Sequence, residues 1–192
     1  VIQASSVTGT PSLAGEGAGI ATVANDGTKL NVTVKNGFIN AQTDGGLKTG
    51  EENAAANSAA LSTLVSKVDD STTVYFPAGD YYFDGACDLA AVTKEGVTLW
   101  NPDTNAVLHA SLLIGAAKNV VVDGLAFSGL EGPAIIATGT EGLAIANCRL
   151  DGVAGAYEGG HYPFAAVNVT DFDLLDFPRH LCGGIGGCTE GH

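Results

Sequence analysis

A short apolar pattern recurs along the middle of the chain at a 23-residue interval, in segments that begin at Thr73, Gly96, Asn119, Gly142 and Ala165. Because neighbouring side chains point to opposite faces of a strand, the second and fourth positions of each segment share one face. A fixed period with a shared apolar face predicts coils of short strands that stack on one another. The second position holds Val74, Val97, Val120, Leu143 and Ala166, and the fourth holds Phe76, Leu99, Val122, Ile145 and Asn168.

Other parts of the chain keep the same interval. It separates Leu112 from Ile135, and it separates Leu125 from Cys148, which predicts that Cys148 is buried like Leu125. Leucine-rich repeats have similar periods, but their L-x-x-L-x-L pattern is absent from this sequence. The sequence therefore predicts an all-β fold, a short right-handed parallel β-helix of about five rungs over residues 73–178.

One helix is predicted just before the first of these segments. Thr49 and Glu52 have the spacing of a capping box, in which each side chain bonds a free amide of the first helical turn. Since the first rung of a β-helix exposes its apolar interior, a helix at 51–68, within a capping region 44–72, is expected to cover it. Its apolar stripe consists of Leu61, Leu64, Val65 and Val68.

Residues 1–43 form a separate N-terminal segment. They have the glycine-rich turns of short strands, and residues 29–34 alternate in the two-residue period of a strand. The pattern predicts a small β-rich segment used for attachment or oligomerisation. An extended arm that lies on the main domain is the alternative.

Composition narrows the classes of function. Apolar residues make up 45% of the 192 residues and charged residues 15%, so the chain can bury a core, and its 27 glycines fit a fold with many tight corners. The net charge is −13 and the eight Lys and Arg residues form no cluster, which argues against nucleic acid and anionic membranes as partners. No stretch has the length of a membrane span. A polyuronate would be repelled unless a cation such as Ca²⁺ intervened.

The segment 73–82 reads TVYFPAGDYY and resembles the VYFPAGxY signature of the pectate-lyase-like parallel β-helix superfamily, which includes phage tail-spike and appendage proteins. In that superfamily a D-G-x-x-T segment and a capping helix precede the signature, similar to Asp44-Gly45-Gly46 and Thr49 here. The resemblance covers residues 44–155. It implies the fold but no single activity, because the superfamily includes lyases, hydrolases, epimerases, receptor-binding spikes and structural fibres.

Two aspartates are the candidate catalytic residues. Asp123 and Asp151 each precede a glycine at a rung corner, and a pair of carboxylates would perform acid–base catalysis in a glycoside hydrolase or bind Ca²⁺ in a lyase. Asp-Gly is also a common turn dipeptide, which gives both residues a structural explanation. A lyase generally needs a basic residue as well, and Arg149 is the third candidate.

Aromatic residues are the candidate ligand contacts. Tyr75, Trp100 and Tyr157 are expected at or near the outer surface, where an aromatic side chain would stack on a sugar ring. Tyr and Trp are also common in strands, where they serve packing alone. His109 stands alone in the sequence and is interpreted as a packed or surface histidine.

The C-terminal tail, residues 179–192, is rich in cysteine and glycine. Cys182 and Cys188 predict a small disulfide loop if the compartment is oxidising. A zinc site that includes His180 and His192 is the alternative, but the spacing matches no zinc motif, and no metal site is assigned.

These observations favour a non-catalytic virion appendage, such as a phage fibre, spike or decoration protein, or a surface structural protein that contacts host glycans. The predicted location is extracellular or on a virion surface, and the predicted assembly is a homotrimer or a complex with other virion or surface proteins. One alternative is a secreted polysaccharide lyase, hydrolase or epimerase. A second is a cell-surface protein that forms filaments. No cofactor is predicted, and Ca²⁺ enters only with the enzyme hypothesis.

Overall fold

The structure, a computed structural model, describes residues 21–25, 30–34, 37–151, 164–175, 185–186 and 189–191. The proposed disulfide between Cys182 and Cys188 and the candidate ligand contact Tyr157 lie outside the described residues. Both therefore stay predictions.

The described elements begin with two strands that form an antiparallel hairpin, followed by one strand, a 3-10 turn and one α-helix. They are β1 (Ala21–Asn25), β2 (Leu30–Val34), β3 (Phe38–Asn40), the 3-10 turn Glu51–Asn53 and α1 (Ala54–Lys67). Short strands follow: β4 (Thr73–Tyr75), β5 (Gly79–Tyr81), β6 (Cys87–Leu89), β7 (Thr98–Trp100), β8 (Ala106–Leu108), β9 (Leu112–Ile114), β10 (Lys118–Asp123), β11 (Leu125–Ser128) and β12 (Ile135–Thr138). The last are β13 (Glu141–Ala146), β14 (Arg149–Asp151), β15 (Phe164–Val167), β16 (Thr170–Leu175), β17 (Ile185–Gly186) and β18 (Thr189–Gly191).

After the hairpin, every described strand pair is parallel, and the strands form three sheets. Sheet 1 has the order β18-β16-β13-β10-β7-β4-β3, sheet 2 the order β14-β11-β8-β5, and sheet 3 the order β17-β15-β12-β9-β6. From β4 to β16, consecutive strands pass from sheet 1 to sheet 2 to sheet 3, so the chain forms a β-solenoid of about three turns. The predicted parallel β-helix with a helix at its N-terminal side is confirmed.

The pairing register keeps the 23-residue interval in the middle of the solenoid and departs from it at both ends. Val120 pairs with Leu143 at that interval, but Val74 pairs with Leu99, two positions beyond it. Because a shift of two positions returns a side chain to the same face, the inward face is preserved. The placement of Ala165 at the start of a fifth sheet 1 strand was wrong. Ala165 lies in β15 of sheet 3, and Leu143 pairs instead with Phe172, because the fourth coil is longer than the interval.

One position at the beginning of the sheet 1 strands explains why the repeat can be recognised in the sequence. Gly96, Asn119 and Gly142 occupy equivalent positions and have φ of +72°, +51° and +74°. This left-handed conformation favours Gly and Asn over other residues. Three successive coils have one of these residues there, spaced at the repeat interval, whereas Ser71, beside Gly96 in the preceding coil, has the same conformation with φ of +59°.

The interior of the solenoid is one apolar cluster that includes the fully buried rings of Phe76, Tyr81 and Phe127. Helix α1 covers the N-terminal side of this interior with Leu61 and Leu64, and the chain just after the helix adds the buried Val68. A small apolar cavity of about 20 Å³ remains beneath the helix. No helix of the described residues has the length and apolar character needed to cross a membrane.

The predicted helix is present, but the predicted capping box is not. The chain enters α1 through the 3-10 turn, and neither N-terminus carries a side-chain capping bond. Thr49 instead lies against β5, since its methyl carbon occupies the space where a side chain at Gly79 would begin. Its hydroxyl makes no capping bond to the first helical turn.

The helix is held to the solenoid by Asn57, a fully buried polar residue. Its side-chain oxygen accepts a hydrogen bond from Lys48 N at 2.7 Å, and its amide nitrogen donates to Lys48 O at 2.7 Å and Tyr82 O at 2.9 Å. One side chain therefore joins α1, the segment before the helix and the end of β5.

Candidate functional site

Three of the residues singled out in the sequence lie side by side on the outer face of sheet 1. Tyr75 pairs with Trp100, and Trp100 pairs with Asp123. On the other side of Tyr75, β3 adds Phe38 to the same face. Phe38, Tyr75 and Trp100 are called the aromatic strip below.

The rings of the aromatic strip form a continuous contact. The centroids of Phe38 and Tyr75 are 5.9 Å apart with an angle of 27° between the ring planes. Those of Tyr75 and Trp100 are 5.7 Å apart with an angle of 51°. Phe38 is 41% exposed and is the large apolar side chain that the described part of the chain leaves most open to solvent. The three rings thus form one continuous apolar surface on the outer face of sheet 1.

A shallow depression of about 400 Å³ lies beside the aromatic strip. Two aromatic rings, three hydroxyl-bearing side chains and one carboxylate line it. The residues that line it include Phe38, Ser71, Thr73, Thr98, Trp100 and Asp123.

Asp123 ends β10 and is followed by Gly124, whose φ of +73° turns the chain into sheet 2. Asn147, in the corresponding corner of the next coil, donates a hydrogen bond from its side-chain nitrogen to Asp123 Oδ1 at 2.8 Å. A carboxylate has more acceptor positions than this one bond occupies. Asp123 is therefore held in place and retains capacity to accept a hydrogen bond from a ligand hydroxyl.

The other two candidate catalytic residues lie elsewhere. Asp151 and Arg149 belong to β14 of sheet 2, where Arg149 Nε and Asp151 Oδ2 form an ion pair of 2.7 Å. Asp123 and Asp151 are thus on different sheets. The structure does not bring the two carboxylates together on one face.

Sheet 2 carries a second polar cluster that the sequence did not indicate. His109 Nε2 lies 2.9 Å from Asp80 Oδ1, and the imidazole stacks on the ring of Tyr82 with centroids 4.1 Å apart and planes parallel within 1°. His109, which looked isolated in the sequence, therefore has two partners. Pairing of β5 with β8 brings them together, and neither partner is spaced from His109 at the repeat interval, so the sequence carried no signal for the cluster.

The two described cysteine thiols are unsuited to act as nucleophiles or metal ligands. Cys87 and Cys148 are both free. Burial raises the pKa of the Cys87 thiol far above its ordinary value, and burial raises the pKa of Cys148 to about 12. Cys148, predicted to be buried like Leu125, is only half-buried; it packs against the core and its thiol donates a weak bond to Val122 O at 3.7 Å. Both side chains remain protonated at neutral pH and pack as small apolar groups.

Within the described ranges, no group of three or more His, Cys, Asp and Glu side chains is arranged to hold a metal ion. No family model matches the sequence, and neither the curated proteins nor the solved structures contain a match.

Proposed function

We propose that this protein is a non-catalytic β-helix of an extracellular or virion surface, comparable to a phage fibre, spike or decoration protein, and that it binds glycans through the aromatic strip and the adjacent depression. The observation that carries the proposal is the stack of Phe38, Tyr75 and Trp100 beside a hydrogen-bonded carboxylate on one outer face.

The chemistry of this face matches that of a sugar. A pyranose ring has apolar C–H faces and a rim of hydroxyl groups. Aromatic rings offer a large apolar surface whose negative face attracts C–H groups, while Thr73, Thr98 and Asp123 offer hydrogen-bonding groups within the same depression. A ligand that needs both kinds of contact at once is therefore favoured over a purely apolar one.

The placement of the carboxylates supports binding rather than cleavage. A glycoside hydrolase uses two carboxyl groups that face each other across the scissile bond, about 5–10 Å apart. Asp123 lies on sheet 1, and its candidate partner from the sequence, Asp151, is engaged with Arg149 on sheet 2. The depression thus contains one carboxylate among its described lining residues, with a positioning bond from Asn147.

Membership of the pectate-lyase-like superfamily is part of the proposal. It is supported by the segment 73–82 together with the parallel coils and the helix α1 that precedes them. Within that superfamily, a short solenoid with a glycan-binding face corresponds best to the spike and fibre proteins. Homotrimeric assembly belongs to the same proposal.

Substitution of Trp100 tests this function. Trp100→Ala should weaken binding to a responsive polysaccharide at least about tenfold, because Trp100 lines the depression and a large aromatic side chain carries much of the energy of such a contact. Binding is to be measured by affinity electrophoresis and calorimetry against soluble glucans, mannans, galactans and uronates.

Tyr82→Ala is the matched control, since Tyr82 is also an aromatic side chain stacked on a neighbouring ring, but on sheet 2. Each substitution removes one stacking contact, worth about 0.5–1.5 kcal/mol of folding stability, so the two variants should lose similar stability while only Trp100→Ala loses affinity. Equal affinity of Trp100→Ala and wild type, or release of sugar products by the wild type, would count against the proposal.

A further inference from the structure

We propose that the aromatic strip and its depression select uncharged glycans and discriminate against carboxylated or sulfated ones. This inference rests on the proposed function and adds the class of ligand. It is carried by the charges around the depression.

Among the described residues, the depression has no cationic lining, and Asp123 is the one charged side chain there. The remaining polar groups are the hydroxyls of Ser71, Thr73 and Thr98, and the rings of Phe38 and Trp100 present faces of negative electrostatic potential. An acidic sugar stacked on these rings would bring its carboxylate towards Asp123, and no cation of the lining would separate the two.

The basic side chains at the start of the sheet 1 strands are already paired with carboxylates. Lys94 Nζ lies 3.1 Å from Asp69 Oδ1, and Lys118 Nζ lies 2.8 Å from Glu141 Oε2. Glu95 adds a further carboxylate and accepts a hydrogen bond from the side chain of Asn119. An anionic glycan would have to displace these partners to gain a cation.

The overall charge acts in the same direction. A net charge of −13 repels anions before contact, and the repulsion acts over about 10 Å at ordinary salt concentration. Hydroxyl groups carry no net charge for this field to repel. They donate to Asp123 and exchange hydrogen bonds with the threonine hydroxyls, so a neutral sugar uses every polar group of the depression.

A cationic amino sugar is the main competitor of a neutral one, because Asp123, the ring faces and the net charge all attract a cation. Within the depression, however, Asp123 is the one charged group among the described lining residues and Asn147 uses part of its hydrogen-bonding capacity, whereas the three hydroxyls need uncharged hydrogen-bonding partners. Most of the lining therefore recognises uncharged groups. A preference for a glucosamine oligomer is an outcome that the experiment distinguishes.

Matched oligosaccharides provide the test. Neutral and uronate oligomers of the gluco, manno and galacto series, and a glucosamine oligomer, are titrated into the wild-type protein at low and at physiological salt. We expect at least one neutral member to bind about fivefold or more tightly than its uronate counterpart, as one like charge at close range in water predicts. Neutral binding should change little with salt, because no ion pair forms.

The variant Asp123→Asn removes the charge and keeps an acceptor oxygen. It should lower the neutral-to-uronate affinity ratio about fivefold. Asp84→Asn is the charge-matched control, since Asp84 is exposed on the segment that follows β5, away from the depression, and should leave the ratio unchanged.

Equal or tighter binding of the uronates by the wild type would overturn this inference and leave glycan binding intact. Tightest binding of the glucosamine oligomer, with a steep decrease in salt, would also overturn it. Binding to none of the oligomers would refute the proposed function itself, and this inference with it.

Discussion

The buried amide of Asn57 leads to a sharp prediction about stability. Substitution by alanine removes three hydrogen bonds of 2.7–2.9 Å that join α1 to Lys48 and Tyr82. Each bond contributes about 1 kcal/mol net, and a buried backbone group that loses its partner costs about 1–3 kcal/mol. Asn57→Ala should therefore lower the free energy of unfolding by about 3–4 kcal/mol.

That loss is large for a domain whose total stability is about 5–15 kcal/mol. For a chain of this size, 1 kcal/mol corresponds to about 2–4 °C, so the melting temperature should decrease by about 6–16 °C. Asn57→Asp should not restore the wild-type value. A carboxylate still accepts from Lys48 N, but it cannot donate to the carbonyl groups of Lys48 and Tyr82.

The measurement is urea unfolding followed by circular dichroism, together with a thermal scan. Asn53→Ala is the matched control, because the side-chain amide of Asn53 makes its bonds to Thr49 O and Glu52 at the exposed surface. It should cost less than about 1 kcal/mol. A loss for Asn57→Ala as small as that of Asn53→Ala would show that this amide does not hold the helix to the solenoid.

Two further predictions concern a corner and a thiol. Gly124→Ala should lower the free energy of unfolding by at least about 3 kcal/mol, because the new methyl group would lie 1.9 Å from Asn101 O and the residue has a positive φ. Gly85→Ala is the control: its methyl group meets no atom within 4 Å, so only backbone strain of about 1–2 kcal/mol should be lost. Equal losses in urea unfolding would refute the clash. The folded pKa of Cys148, about 12, is raised from 9.0, so the stability that its buried thiol contributes is complete below pH 9 and is lost as the pH rises towards 12. Cys148→Ala should therefore lose less stability than wild type between pH 9 and 12, and parallel pH profiles would contradict this.

The candidate site was only partly predictable from the sequence. Trp100 and Asp123 are separated by the repeat interval, so the period itself places them in one column. The 23-residue interval aligns Tyr75 with Thr98, yet Tyr75 pairs with Trp100, because the first coil is two positions longer than the period. Phe38 lies before the helix and outside every recognisable repeat. Phe38 and Ile39 are both apolar, so the sequence does not show which of them faces outward or which strand lies beside them.

The sequence by itself determined the class of fold. Alternation of apolar residues requires strands with one buried face, and the recurrence of Gly or Asn at one corner requires a coil, so the local pattern defines a stacked β-solenoid. An apolar stripe of helical period indicates the helix that covers the first coil of this solenoid. These features depend on neighbours in the chain and are visible without coordinates.

The tertiary structure alone decided which outer side chains meet. A shift of two positions between coils leaves every apolar side chain inside, so the hydrophobic pattern accepts either register. The same shift moves an outward residue to a new neighbour and determines whether Tyr75 stacks on an indole or faces a threonine. The contact of Asp80 with His109 has the same cause, because corner lengths set the register and the pattern of buried residues does not reveal them. Asp123 does not meet Asp151 because the two residues lie on strands of different sheets.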